Sequence, residues 1–337
     1  MTKIESEFNA RCAALVTELN LGRAGGIRSI EPLTGGVASD IAKVVLADRV
    51  ICIKFALAKL KVAEDWQAPV HRNKAEYHWL QTAAQIAPDA APILYGRSEA
   101  WNGFAMEFLS GADIHLWKEL LLQSQAPQGE AEKVAELLGQ IHAASAKPGF
   151  DCAPFQNKDD FAALRLAPYL RFTASRHPDI ADKLNAMADR IYAGDAVLVH
   201  GDVSPKNILL RGGSPIILDA ECATMGDAGF DVAFCLNHLV LKAIHLPNMR
   251  AIYLNQVNAF WSAYAPHIHW EDAEALEQHV ATLLPMLMLA RVDGKSPVEY
   301  LSPASSAQVR EVALSLIKTP QPSLAAVVGK ISNHLEG

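Results

Sequence analysis

The sequence predicts an α+β fold, with a small antiparallel sheet in the first third of the chain and helices in the remainder. Short β-branched runs occur before residue 110, and apolar residues follow the helical period after it. Hydrophobic residues make up 50% of the 337 positions and charged residues 20%, which is typical of globular proteins. A chain of this length can form two cores. We therefore expect two domains, residues 1–109 and residues 110–337.

The first third contains two predicted helices and a set of predicted strands. Helix-period apolar residues place the helices at 8–19 and 73–82. Alternating or β-branched runs predict strands at residues 27–33, 41–46, 50–55, 91–95 and 103–109. A three-residue connection at 47–49 joins two of these runs, which is typical of an antiparallel sheet.

The remainder is predicted to be mostly helical. Residues 130–143 are amphipathic, with Val134, Leu137, Leu138 and Ile141 on one face. Similar patterns predict helices at residues 160–172, 180–191, 231–242, 250–264 and 270–290. Short apolar runs at 197–199 and 216–218 predict buried strands between them.

Charge and composition exclude several classes of protein. The formal net charge is -7 and no basic block is present, so we expect no nucleic acid partner. The five cysteines form no C-x-x-C pair and have apolar neighbours, which indicates reduced, buried thiols. We see no signal peptide pattern, and the longest apolar run, 280–290, is shorter than the ~20 residues of a membrane span. We therefore expect a cytoplasmic protein without a membrane partner.

The most informative segment is residues 200–210, which directly follow a predicted buried strand. His200, Asp202 and Asn207 have the spacing H-x-D-x-x-x-x-N, and Asp219 ends the next predicted strand. One carboxylate can orient a nucleophilic hydroxyl, while an amide and a second carboxylate can hold Mg²⁺ on a polyphosphate. Turn capping by Asp and Asn is the alternative. The spacing, the strand on each side and the second acidic strand end occur together, which favours phosphoryl transfer.

Residues 197–240 resemble the catalytic and metal-binding loops of the aminoglycoside phosphotransferase and choline kinase family. Residues 226–233, Gly-Asp-Ala-Gly-Phe-Asp-Val-Ala, match the family's G-D-x-x-x-D-[LV]-A run. Residues 138–142, Leu-Gly-Gln-Ile-His, are similar to its L-x-x-[LI]-H helix, although His142 itself is expected to be a core residue.

The resemblance implies a fold and a set of residue roles. The fold is a bilobal, protein-kinase-like one, with a small β-sheet N-lobe and a larger, mostly helical C-lobe. Asp202 is implied to be the catalytic base, Asn207 and Asp219 the Mg²⁺ ligands, and Asp231 a brace for the catalytic loop.

The sequence also differs from that of protein kinases. Ser204 occupies the place of their catalytic-loop lysine, and Asp219-Ala220-Glu221 replaces D-F-G. No A-P-E segment is evident. These differences favour a small-molecule kinase. Whether Ser204 or Lys206 contacts the γ-phosphate stays open, as does whether Glu221 binds a second metal or packs at the strand end.

The first third is expected to bind the nucleotide. Gly35 and Gly36 lie between predicted strands, where small residues let backbone N–H groups approach phosphates, although adjacent glycines also form ordinary hairpins. Lys54 interrupts an apolar strand, which is costly unless its charge is paired. It is predicted either to neutralise α- and β-phosphates or to reach water from an edge strand. Glu76 fits the family's R-x-x-x-E helix as the partner of Lys54, whereas the sequence alone predicts a solvated residue.

Two further segments resemble parts of a kinase site. Residues 103–111 resemble the hinge that holds adenine through backbone groups near Glu107 and Leu109, with a purely structural strand end as the alternative. Residues 290–300 collect charged side chains after an apolar helix, which is typical of a solvated loop or of an acceptor site.

Together these features predict a kinase that transfers the γ-phosphate of ATP or GTP, with Mg²⁺, to a hydroxyl of a small molecule. The acceptor is expected to be an aminoglycoside, an amino alcohol or a sugar-like molecule, and the sequence does not distinguish among them. A non-catalytic nucleotide-binding module is disfavoured because Lys54, Asp202, Asn207 and Asp219 are all present. A protein kinase is disfavoured because no activation segment is evident.

Overall fold

The computed structural model describes residues 3–33, 39–57 and 69–336. The chain divides into two compact units, Met1–Ala112 (unit 1) and Asp113–Gly337 (unit 2). Gly35 and Gly36 lie outside the described residues, so their contact with phosphate stays a prediction.

Unit 1 contains a five-stranded antiparallel sheet with the strand order β1-β2-β3-β5-β4. Its strands are β1 (Ser29–Leu33), β2 (Ser39–Val45), β3 (Val50–Ala56), β4 (Leu94–Ser98) and β5 (Gly103–Glu107). Its helices are α1 (Lys3–Glu18) and α2 (Arg72–Ile86). Apolar side chains of α1, including Leu15 and Val16, form one core with Ile51, Ile53 and Phe55 of the central strand β3. Unit 1 is thus an amphipathic helix packed on a sheet, as its patterns predict.

The strands of unit 1 differ from the predicted ones mainly at β4 and β5. β4 begins at Leu94, later than the predicted start at residue 91. β5 ends at Glu107, so Leu109 lies beyond the sheet. The first residue of β5 is a glycine because a Cβ on Gly103 would lie 2.3 Å from Cδ1 of Phe55 on the neighbouring strand.

Unit 2 is mostly helical. Its α-helices are α3 (Trp117–Leu122), α4 (Glu130–Ser145), α5 (Lys158–Phe161), α6 (Phe172–Arg176), α7 (Ala181–Ala193), α8 (Ala228–His245), α9 (Arg250–Tyr264), α10 (Ala273–Asp293), α11 (Pro303–Lys318) and α12 (Leu324–Glu336). Its strands are β6 (Ile114–Leu116), β7 (Val197–Val199), β8 (Ile208–Arg211), β9 (Ser214–Ile217) and β10 (Thr224–Gly226). They form two small sheets, β10-β7 and β6-β8-β9. The predicted helices and the two predicted strands are all present, and β6, β8, β10, α3, α11 and α12 are additional.

Helix α8 is the centre of unit 2. Every residue from Ala228 to Ile244 is buried, and the helix packs against α9, α10 and α11. A helix that is apolar on all sides is stable in water only inside such a layer. Any polar side chain on α8 is therefore held away from bulk water.

Two further features bear on the predictions. Residues 162–171, between α5 and α6, form a π-helical segment that contains Pro168, within the predicted helix 160–172. Cys152 is exposed, so the prediction of buried thiols is wrong for this residue and right for the other four.

Within the part of the chain that the structure describes, no single helix has the length and hydropathy to cross a membrane, although α8 and residues 247–267, bent by 118° at their junction, pass that test as a pair.

Candidate active site

The predicted catalytic loop connects β7 to β8, and α8 fixes its backbone. Asp231, in the first turn of α8, accepts hydrogen bonds from the N–H groups of His200 (2.6 Å) and Gly201 (2.8 Å). Gly201 has a φ of +81°, and a Cβ there would lie 2.9 Å from Cβ of Cys222. The turn therefore requires glycine. The carboxylate of Asp231 is fully buried and holds the loop where the resemblance implies a brace.

His200 links this loop to the end of β9. Its Nδ1 accepts a hydrogen bond from the N–H of Asp202 (3.1 Å), and its Nε2 lies 3.1 Å from the carbonyl oxygen of Leu218. These contacts assign the neutral tautomer with the proton on Nε2. Burial lowers the pKa of His200, in agreement with a neutral ring. His200 therefore sets the spacing between the catalytic loop and the segment that leads to Asp219.

Asp202 is buried, and its two carboxylate oxygens differ in their surroundings. Oδ2 lies 3.1 Å from Nη2 of Arg165 and 3.2 Å from Nζ of Lys206. Oδ1 is buried and has no hydrogen-bond partner among the described residues. Burial alone raises the pKa of Asp202, but the positive charges of Lys206 and Arg165 outweigh it and hold the pKa below its usual value. Asp202 is therefore an ionised carboxylate with one unoccupied oxygen.

Arg165 is a site residue that the sequence analysis missed. It lies on the π-helical segment and donates through Nε to the carbonyl of Gly201, in addition to its ion pair with Asp202. It is 8% exposed, and its neighbours Leu164 and Leu166 are also buried. The available signal was a charged residue between two leucines in an apolar helix pattern, which indicates a partner in the interior.

The backbone brings Asn207 next to the residue that precedes Asp219. The N–H of Leu218 donates to the carbonyl of Asn207 (2.8 Å), because β8 and β9 pair antiparallel with Ile208 opposite Ile217. The Nδ2 of Asn207 donates to the carbonyl of Asp202 (3.1 Å). The hairpin therefore places the backbones of the two predicted Mg²⁺ ligands at one end of the β8–β9 pair.

The donor set at this end of the hairpin fits Mg²⁺. Mg²⁺ in proteins usually takes one or two side-chain oxygens together with waters and substrate phosphates. Asn207 and Asp219 supply such oxygens, and Asp219 has a φ of 70°, a backbone conformation that is rare outside glycine and common at functional sites. Residues 3–33, 39–57 and 69–336 contain no cluster of three or more His, Cys, Asp or Glu side chains that could hold a metal without such help.

Lys206 and Ser204 are the two candidates for contact with the γ-phosphate, and their surroundings differ. The negative charge of Asp202 raises the pKa of Lys206, burial opposes this, and Asp219 adds to it. Ser204 is fully buried, and its Oγ has no partner among the described residues. Lys206 is therefore a half-exposed cation on which the charges of Asp202 and Asp219 act, whereas Ser204 lies in the interior. Glu221 is also buried.

In unit 1 the structure brings Lys54 and Glu76 together. Nζ of Lys54 lies 2.7 Å from Oε1 of Glu76, and the two residues are 4% and 2% exposed. Lys54 is on β3, which has β2 on one side and β5 on the other, so the edge-lysine interpretation is wrong. Glu76 is buried on α2, so the solvated interpretation is wrong as well. Burial of both charges costs desolvation energy, so a pair of this kind contributes little to the net stability of the fold.

The predicted hinge residues are at the end of β5. The N–H of Glu107 donates to the carbonyl of Ile93 (2.7 Å), and its carboxylate accepts from the N–H of Ile93 (3.1 Å). Leu109 is half-buried after the strand. These contacts describe a strand end, and a role in holding adenine stays a prediction for both residues.

Residues 290–300 are not a simple solvated loop. Arg291 and Asp293 are each 8% exposed. Asp293 binds Arg310 through two hydrogen bonds of 2.7 and 2.8 Å, and lies 2.9 Å from Nε2 of His177. The segment is therefore anchored to the helices of unit 2 by its charged side chains.

Comparison with known proteins gives the family. The family described as "Phosphotransferase enzyme family" matches residues 29–267. The methylthioribose kinase of Yersinia pseudotuberculosis serotype O:3 (strain YPIII) is 23% identical over 252 residues, 64% of this chain. The alignment spans 61% of that relative, which is less than two thirds of its length.

Two solved structures resemble the whole chain. A choline/ethanolamine kinase family protein from Mesorhizobium loti has a TM-score of 0.57 at 17% identity and covers 97% of this chain and 98% of its own. The choline kinase of Streptococcus pneumoniae has a TM-score of 0.51 at 13% identity, over 94% of this chain and 100% of its own. At such identities the likeness shows the fold, and the predicted kinase-like α+β fold is confirmed. Because the family match covers well over half of the sequence, the chain belongs to the phosphotransferase enzyme family.

Proposed function

We propose that this chain is a small-molecule kinase that transfers the γ-phosphoryl group of ATP or GTP to a hydroxyl of its acceptor. The observation that carries the proposal is the state of Asp202. Two cations hold its Oδ2, while the buried Oδ1 has no partner among the described residues. A buried oxygen in this state is costly unless a ligand donates to it, and the hydroxyl of an acceptor is such a donor.

In the proposed reaction the acceptor oxygen forms a bond to the γ-phosphorus. The bond between that phosphorus and the β,γ-bridging oxygen breaks, and ADP or GDP leaves. The hydroxyl proton passes to Oδ1 of Asp202 late in the step. Because Lys206 and Arg165 hold the pKa of Asp202 low, the carboxylate is a weak base and mainly orients the hydroxyl. A loose phosphoryl-transfer transition state needs little proton removal before the phosphorus–oxygen bond breaks.

Nucleotide binding is proposed to involve Lys54, Glu107, Leu109, Asn207 and Asp219. Lys54, oriented by Glu76, would neutralise the α- and β-phosphates, and backbone groups near Glu107 and Leu109 would hold the base. Asn207 and Asp219 would hold Mg²⁺, which when bound neutralises charge on the phosphates. The support for these roles is the buried Lys54–Glu76 pair and the donor set at the β8–β9 end.

The test is a screen for nucleoside diphosphate release with Mg-ATP and Mg-GTP against alcohols, amino alcohols, sugars, hydroxy acids and sugar phosphates. With an acceptor that supports turnover, Asp202→Asn is expected to reduce kcat by about 10²–10⁴-fold, the usual contribution of such a group. Fluorescent nucleotide binding should stay within a few-fold of wild type, because Asn keeps the shape of the side chain.

Asp195→Asn is the matched control, since Asp195 is an exposed aspartate and its change should leave turnover unaltered. Near-normal transfer by Asp202→Asn contradicts the assigned role. A wild-type chain that binds nucleotide but releases no diphosphate with any acceptor supports the non-catalytic alternative. Phosphorylation of peptides in place of small molecules supports the protein kinase alternative.

A further inference from the structure

Helix α8 carries two basic side chains in its buried interior. His238 and Lys242 are 5% and 1% exposed, and they lie one helical turn apart on the same face. Most of the other residues of the helix are apolar. A buried lysine is costly unless its charge finds a partner.

Lys242 has no carboxylate partner among the described residues. Its ammonium lies 5.0 Å from the ring centroid of Tyr300, a cation–π contact that compensates only part of the lost hydration. The nearby Glu299 forms its ion pair with Lys118 instead. The charges of Lys118 and Arg291 repel this ammonium, and Glu299 attracts it more weakly than either of them repels it. The thiol of Cys235 is neutral because burial raises its pKa.

Arg291 is a second buried cation without a carboxylate within ion-pair distance among the described residues. Its Nη1 donates to the hydroxyl of Tyr169 (3.1 Å) and to Oγ of Ser296 (3.1 Å). Its Nε is buried and has no hydrogen-bond partner among the described residues. The side-chain hydrogen bonds of Arg291 are thus made to neutral groups.

A chain of ring contacts connects His238 to Arg291 through Phe234 and Tyr169. The charges of Asp202 and Lys206 act on His238 in addition to those of Lys242 and Arg291, so the cations and Asp202 are near the same ring. Burial lowers the pKa of His238 well below its usual value, so the ring is neutral. Its Nε2 has no hydrogen-bond partner among the described residues, and neither does the buried hydroxyl of Tyr300. Buried polar atoms without hydrogen-bond partners, next to cations without ion pairs, indicate a site for an anionic ligand.

We propose that His238, Lys242, Arg291 and Tyr300, the basic cluster, bind a carboxylate or phosphate group of the acceptor whose hydroxyl contacts Asp202. The inference rests on the proposed function and narrows it: the acceptor is a hydroxylated anion. Cationic acceptors such as aminoglycosides and amino alcohols would place positive charge against Lys242 and Arg291. A carboxylate or phosphate instead supplies the counter-charge and accepts the available hydrogen bonds.

Binding to this cluster should also take up protons. Burial lowers the pKa of Lys242 to about 7, and the charge of Lys118 adds to that effect. A bound anion favours the charged amine and raises this pKa, so the affinity for an anion should fall as the pH rises from 7 to 9.

The experiment measures binding to the full-length chain by calorimetry, without nucleotide. The probes share one three-carbon diol frame: glycerate, glycerol 3-phosphate, glycerol and 3-amino-1,2-propanediol. We expect glycerate or glycerol 3-phosphate to bind at least tenfold more tightly than glycerol and 3-amino-1,2-propanediol at pH 7. The stronger of the two anions identifies carboxylate or phosphate as the group recognised.

Lys242→Met should remove this preference and the proton uptake measured in buffers of different ionisation enthalpy. Lys242→Arg should keep the preference, because it keeps the charge. Lys330→Met, the same change at an exposed lysine of α12, should leave both unaltered. Equal binding of the four probes, or an anion preference that survives Lys242→Met, overturns the proposal. Because no turnover is measured, that outcome is distinct from failure of diphosphate release, which tests the proposed function.

Discussion

At the scale of single residues, Lys242 shows how burial links function to stability. Its pKa of about 7 in the folded chain compares with an ordinary value of 10.5. Between these values the unfolded chain binds more protons than the folded chain, so the contribution of Lys242 to the free energy of unfolding rises with pH. Its destabilising effect is complete below pH about 7 and is relieved as the pH approaches 10.5.

We therefore expect Lys242→Met to be more stable than the wild type at pH 7 in a buffer without carboxylate or phosphate. The difference in the free energy of unfolding between the two proteins should shrink by about 1.4 kcal/mol per pH unit as the pH rises above 7, because folding of the wild type releases one proton per molecule in this range. Urea unfolding at several pH values measures it. Lys330→Met controls for other titrating groups, since it should track the wild type throughout. If this difference in stability does not change with pH, folding does not lower the pKa of Lys242.

Buried polar residues were predictable where a local pattern recorded them. Lys54 interrupts an apolar strand, which predicted either a paired or an edge lysine, and the family resemblance named Glu76, its partner in the structure. Asp202 stood out through the spacing of its loop, and its role stays a proposal. Arg165 and Lys242 are also buried, but their surroundings are set by tertiary packing, and a helix-period pattern does not show which residues a side chain contacts.

At the scale of elements, the N-terminal end of α8 joins the loop chemistry to the core. Asp227 caps the helix by accepting from the N–H of Gly229 (2.8 Å), and it also contacts Nε2 of His279 (2.9 Å). Asp231, one turn later, accepts hydrogen bonds from the N–H groups of His200 and Gly201 in the loop. The same helix end thus contains one aspartate that stabilises the helix and one that positions the loop.

The two aspartates make a matched pair for mutation. Asp231→Asn should lower the free energy of unfolding by about 2–4 kcal/mol, because two hydrogen bonds to a buried charge are weakened. It should also reduce kcat more than the nucleotide affinity, since the position of Asp202 depends on this loop. Asp227→Asn should change both quantities little, because Asn is as good an N-cap as Asp. Thermal unfolding and steady-state kinetics with a working acceptor measure the two effects. Equal behaviour of the two variants would contradict the bracing role.

The elements that the sequence analysis missed have two physical causes. β6 and β10 have three residues each, too few for an alternating pattern to stand out, and β8 lies inside the catalytic-loop motif. Helix α11, in contrast, buries Val309, Val312, Ala313 and Leu316, which have the spacing of one helical face. That signal was present in the sequence, whereas the short strands are fixed by pairing between distant segments.

At the scale of the whole molecule, the net charge and the local charge favour ligands of opposite sign. The formal charge of -7 suits a cationic ligand slightly. The buried groups around His238 are instead predominantly basic, with Lys242 and Arg291 both lacking carboxylate partners among the described residues. Water and salt screen charges at the surface, while buried charges are screened little. The local basic cluster is therefore the better guide to the acceptor.

Nucleotide binding should raise the stability of the whole chain. If Lys54 and Asp219 bind the Mg-nucleotide as proposed, substitution of either should remove most of its stabilising effect. A nucleotide at 100 times its Kd should stabilise the wild type by about 2.7 kcal/mol, seen as a rise of several degrees in Tm. Lys54→Met and Asp219→Asn should each lose most of this rise, and EDTA should mimic Asp219→Asn.

Matched controls separate this effect from a general loss of stability. Lys43→Met changes a half-buried lysine on the strand next to β3, whose ammonium lies 3.5 Å from Glu31, and Asp195→Asn changes an exposed aspartate. Both should keep the full rise in Tm. If one of the two site variants keeps the rise in Tm, the role proposed for that residue is wrong. If both variants lose the rise while the two controls keep it, the result supports the roles proposed for Lys54 and Asp219.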